Sequence, residues 1–120
     1  MTANPTNLAP PQLLEATVHD GKLTLYIHNL VDPAHGSVES YQNVMEGDKV
    51  IFEVSTSTGN QDKQELEVKS PTDASFVFVI AKKIFAEKFE PGAIATLSYS
   101  VQRSSGNTAQ SEEQKVYLEL

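Results

Sequence analysis

The sequence predicts an all-β sandwich, on three observations. Apolar residues fall in short runs at period two, turn pairs separate those runs, and a single stretch has helical spacing. About seven short strands and one short helical turn account for the pattern. The chain has 120 residues, enough for one core and too few for two independent ones. Periodicity alone does not separate a sandwich from a closed barrel.

The first eleven residues are polar and include Pro5, Pro10 and Pro11, so they read as a flexible, polyproline-like lead. Residues 12–120 read as a single domain. Within it, residues 12–18 form an edge strand that ends at the turn pair Asp20-Gly21. Residues 22–28 alternate, with Leu23, Leu25 and Ile27 on one face and Thr24, Tyr26 and His28 on the other. A loop containing Asp32-Pro33 follows over 29–36, and residues 37–41 make another short edge strand.

Gly47-Asp48 is a turn, and the strand after it, 49–56, places Val50, Phe52 and Val54 at period two. Residues 55–60 are small and polar and end in Gly59-Asn60, which suits a hairpin or an exposed loop. Residues 63–69 alternate through Leu66 and Val68. The five-residue run Phe76-Val77-Phe78-Val79-Ile80 reads as a central strand over 75–81, buried on both faces. Residues 81–89 are the helical candidate, stopped by Pro91-Gly92. Residues 93–103 form a strand with Leu97, Tyr99 and Val101 inward. After a turn over 104–107, residues 114–120 close the domain with Val116, Leu118 and Leu120.

Composition excludes several function classes. With no cysteine there are no disulfides, no thiolate chemistry and no Cys-based zinc site. Nine basic against sixteen acidic residues give a net charge of −7, and no basic cluster exceeds Lys82-Lys83. That argues against nucleic acid and anionic lipid, which need a basic stripe. The start has no basic and apolar leader pattern, and no run is long enough to span a bilayer.

Candidate chemistry is sparse. His19, His28 and His35 lack the spacing of a metal site and read as surface residues. No Gly-x-Ser-x-Gly elbow occurs, so nucleophilic catalysis has no support. Asp20, Asp32, Glu46 and Asp48 lie in loops where they could meet at one end of a sandwich and hold calcium. The plainer reading is turn formation and solvation, for Asp48 and for Glu112-Glu113 alike. Tyr26 and Tyr117 sit on outward faces, where a sugar-binding platform would put them. Tyr41, Phe52, Phe76, Phe78 and Tyr99 read as core, and Phe85 and Phe89 as a cover for the open end. The expected edges carry Lys, Glu and Pro, which block strand pairing, so a monomer is expected.

The order of pieces resembles a known family. Leu8-Ala9-Pro10, Glu15-Ala16 and Gly21-Lys22-Leu23 open the chain, and Leu30-Val31-Asp32-Pro33 follows. Tyr41, Met45, Gly47-Asp48 and Val50-Ile51-Phe52 are the most specific part. Phe76-Val77-Phe78-Val79, Pro91-Gly92, Tyr99-Ser100-Val101, Ser111 and Val116-Tyr117-Leu118 complete it. Over residues 8–120 this is similar to the immunoglobulin-like repeats of very large surface proteins of pseudomonads and related bacteria. Many such repeats have a tryptophan on the strand after Gly-Asp, where this chain has Val54-Ser55-Thr56. The resemblance implies an immunoglobulin-like sandwich acting as a non-catalytic structural or ligand-presenting repeat. It also implies a place on the cell surface or in the secreted fraction, as part of a longer chain. The alternative is a small stand-alone binding protein with a carbohydrate or protein ligand. Neither reading names a catalytic, cofactor or metal residue.

Overall fold

A computed structural model describes residues 8–39, 45–69, 76–104 and 106–120. It is a β-sandwich of two sheets. The smaller has the order β1-β4-β7, from Gln12–Leu13, Ala34–Val38 and Phe76–Ile80. The larger runs β2-β3-β10-β8-β5-β6, from Thr17–His19, Lys22–Tyr26, Gln114–Glu119, Ile94–Gln102, Lys49–Thr56 and Gln61–Glu67. A short β9, Thr108–Gln110, pairs with β8, and helix α1, Lys83–Ala86, lies between β7 and β8.

Alternation puts one row of each sheet into the gap. Val50, Phe52 and Val54 of β5 and Ala95, Leu97, Tyr99 and Val101 of β8 are buried from one side. Leu13, Val38, Phe76, Phe78 and Ile80 are buried from the other. Across the gap the rings of Phe52 and Phe78 stack, with centroids 4.9 Å apart and planes 7° from parallel. Phe85 of α1 is fully buried, while Phe89 packs against the core less completely.

Several expectations hold as read. β5 spans 49–56 with the expected inward residues, and β8 likewise. Asp20 and Gly21 both have positive φ, 54° and 77°, as a two-residue hairpin between β2 and β3 requires. The 55–60 hairpin joins β5 to β6, and its Asn60 side chain donates to the Ile84 and Glu87 carbonyls at the end of α1, at 3.0 and 2.8 Å. Those are carbonyls that a helix of one turn cannot satisfy internally.

Other expectations are corrected. Residues 12–18 are not one edge strand. The chain turns at Leu14-Glu15, so β1 joins the small sheet and β2 the large one. Adjacent Leu13 and Leu14 cannot both face inward; Leu13 is buried and Leu14 is 54% exposed. The segment read as a loop to residue 36 contains most of β4, which is central in its sheet. Its Ala34, Gly36 and Ser37 have little strand propensity, and at Gly36 the Phe52 ring takes the space a side chain would fill. β7 is an edge strand rather than a central one, with Val77 and Val79 half exposed. That edge has no charged residue, whereas the β6 edge has Lys63, Glu65 and Glu67. Ile27 and His28 belong to a 3-10 turn over Ile27–Asn29, and Leu120 is exposed. β9 has no sequence signature, and Tyr41 lies outside the described residues.

Tyr99 makes the core sensitive to alkali. Burial, and then the charge of Glu39, push its phenol pKa above the ordinary value. Below about pH 10 the phenol is neutral in the folded and unfolded chain alike, and its contribution is complete. As pH rises further, the unfolded chain ionises first, so stability falls until the folded pKa is passed. The urea midpoint of the parent protein is therefore expected to drop more steeply above pH 10 than that of Tyr99→Phe. Equal slopes contradict this assignment.

Candidate functional site

The chain's switch between sheets opens a cleft. Between β1 and β2 the backbone leaves the small sheet, and the gap is walled by the 27–33 segment and by β4. The resulting space of about 610 Å³ is lined by Glu15, Thr17, Leu25, Tyr26, Asn29, Leu30, Val31, Asp32, Pro33 and His35. Leu25 and Leu30 are buried and floor it; Val31 is exposed at the rim.

Glu15 fixes one wall. Its Oε1 accepts the backbone N–H of His35 at 2.8 Å, and its Oε2 lies 2.6 Å from His35 Nδ1. An ionised carboxylate only accepts, so Nδ1 holds the imidazole proton and a neutral His35 has its Nε2 lone pair free. His35 is on a strand, not in the loop expected for it. The opposite wall is tied by Lys82, whose backbone N–H donates to Asp32 Oδ1 at 2.8 Å and whose ammonium donates to the Leu30 carbonyl at 2.9 Å. Among the described residues the Thr17 and Tyr26 hydroxyls and the Asn29 amide have no hydrogen-bond partner.

The four loop carboxylates stay apart in role. Asp20 is exposed in the β2–β3 turn beside His19, at 3.6 Å. Asp32 belongs to the cleft, and Glu46 is exposed. Asp48 is fully buried, accepting from the backbone N–H of Met45 at 3.1 Å and of Ser104 at 2.8 Å. Among the described residues no three His, Asp or Glu side chains are grouped as a metal site would require. His19 packs edge-on to Tyr26, with ring centroids 6.0 Å apart, and His28 is exposed.

The outward tyrosines have different surroundings. Lys22 Nζ sits 5.0 Å from the Tyr117 ring centroid and covers one face of that ring. Tyr26 lines both the cleft and a smaller groove of about 340 Å³ shared with Tyr117. The buried hydroxyl of Ser111 accepts from Tyr99 N–H and donates to the Glu112 carbonyl, each at 2.9 Å. No helix among the described residues is long and apolar enough to cross a membrane.

Sequence reasoning missed the cleft because its residues come from segments read separately as an edge strand, a second strand and a loop. The Glu15-Ala16 break beside two leucines was the available signal. Comparison with known protein families, characterised proteins and solved structures finds no match for this chain.

Proposed function

We propose that this chain is a non-catalytic, monomeric, immunoglobulin-like module. It is a structural or ligand-presenting repeat of a bacterial surface or secreted protein, in which tension passes along the chain. The supporting observation is where the two ends of the domain attach. Leu8 bridges in parallel to Ser111, just before β10, and accepts the Glu112 N–H at 3.1 Å. The other end leaves after Glu119, at the far end of β10.

Force applied to the two ends therefore enters beside the start of β10, through the Leu8 contact, and leaves at its far end. Beyond that contact it is directed along the strand. That strand is held in parallel by β3, through Tyr117–Thr24, Leu118–Leu25 and Glu119–Tyr26, and in antiparallel by β8. Lengthwise loading strains all of these hydrogen bonds together, whereas peeling breaks them in turn. A module strung between neighbours needs this geometry, and its longest dimension, 43 Å, sets the spacing it supplies. Support for the immunoglobulin-like assignment is the split first strand shared between the sheets, with the last strand parallel to an early one.

Stretching a string of tandem copies is expected to give one abrupt rupture per domain, with refolding on relaxation. Smooth extension without ruptures would contradict the reading. The second reading, a stand-alone binding protein, is favoured by one feature, the cleft with its unpaired polar groups. The two differ in whether the copies occur in a string.

A further inference from the structure

The cleft combines an apolar floor with polar groups of mixed character, and what is already paired decides which ligand it fits. Both oxygens of Glu15 are engaged by His35, and one oxygen of Asp32 by the Lys82 backbone N–H. Three of the four carboxylate oxygens in the cleft therefore already hold a hydrogen-bond partner. The groups without partners among the described residues are the Thr17 and Tyr26 hydroxyls, the Asn29 amide and His35 Nε2. The second Asp32 oxygen joins them. These are donors and acceptors in one small space, mostly uncharged, beside the ring of Tyr26 and above Leu25 and Leu30.

We propose that this cleft binds a neutral sugar unit. A pyranose has an apolar C–H face and a rim of hydroxyls, each both donor and acceptor. The face fits against Tyr26 and the leucine floor, and the rim matches the amide, hydroxyl and carboxylate oxygens. A space of about 610 Å³ is within the range of small-ligand sites. No buried side-chain polar atom among the described residues lacks a partner, and Thr17 and Asn29 are exposed, so their polar groups are open to solvent or a ligand. This assignment rests on the reading of the chain as a ligand-presenting module, and it places the ligand in the cleft rather than on the sheet face. Each outward tyrosine has a neighbour against its ring, His19 at Tyr26 and Lys22 at Tyr117, and of the two only Tyr26 lines the larger cleft.

The test is a two-dimensional amide NMR titration of the whole chain with the methyl glycosides of glucose, galactose and mannose and with chitobiose, each to millimolar concentration. At least one is expected to give saturable shifts at residues 15–17, 26–32 and 35. Tyr26→Ala and Asn29→Ala should weaken that binding about tenfold, the loss of one well-formed contact set. Both variants should keep the parent spectrum elsewhere, and Tyr117→Ala should bind as the parent does. No shifts with any of the four sugars would overturn the proposal, as would shifts centred on Tyr117 and Lys22. Shifts with butylammonium chloride but with none of the sugars would also overturn it, by showing that the cleft selects charge. None of these failures touches the mechanical reading, which is measured independently by stretching.

Discussion

Gly36→Ala is expected to destabilise the domain by about 3 kcal/mol, at the upper end of overpacking losses. A Cβ at this position would sit 2.5 Å from Phe52 Cζ and 3.0 and 3.2 Å from its two Cε atoms. The ring has nowhere to go, because Phe52 is fully buried and stacked on Phe78 from the strand next to Gly36. Gly36 is needed for space, since its φ is not positive. Urea denaturation measures the loss. In the Phe52→Leu background the same substitution should cost clearly less, because the shorter side chain vacates the clash. Equal costs in both backgrounds would place the strain elsewhere.

Asp48→Ala is the second large effect, with an expected loss of about 3 kcal/mol. The carboxylate is fully buried and accepts backbone N–H groups from two separate segments, at Met45 and at Ser104. Its own backbone carbonyl accepts from Val68 N–H at 2.8 Å, so one residue ties the start of β5 to the end of β6 and to the loop after β8. Hydrogen bonds to a charged acceptor are worth about twice neutral ones, so Asp48→Asn should recover only part of the loss. A urea midpoint for Asp48→Ala close to that of the parent would contradict this role. The sequence reading of Asp48 as a turn former captured its place but not its burial or its reach.

Long alternating strands were legible because burial on one face leaves a period-two record. β5 and β8 are the clearest cases, with Val50, Phe52 and Val54 of the one and Ala95, Leu97, Tyr99 and Val101 of the other all inward. β4 was illegible for the opposite reason: its inward row includes Ala34 and Gly36, too small to mark a strand, and Gly36 is where the Phe52 ring sits. The run Phe76–Ile80 misled because an apolar outward residue does not reveal whether a second layer covers it. Val77 and Val79 have none among the described residues. The Asp20-Gly21 hairpin was legible from two residues, because positive φ at both positions is costly for most side chains.

The cleft was not legible at all. Glu15 and His35 are twenty positions apart, and their bond depends on β1 and β4 pairing in a sheet whose central strand had been read mostly as loop. The histidines and carboxylates were weighed there by spacing along the chain. Strand pairing, which decides contact, was hidden by the small residues of β4. The outward placement of Tyr26 and Tyr117 was visible from alternation. Which ring lines the cleft was not, because that depends on how the 12–17 segment and β4 come together beside Tyr26.

If β10 bears tension lengthwise, the force at which the domain ruptures depends on the direction of pulling. The chain has no cysteine, so a single Glu113→Cys substitution gives a unique handle at the start of β10. Pulling between the N-terminus and the C-terminus loads the β3–β10 and β8–β10 ladders together. Pulling between the N-terminus and position 113 instead loads the strand from the end where Leu8 is attached, and peels it. The rupture force is predicted to be severalfold higher in the first direction. Equal forces in the two directions would contradict the account.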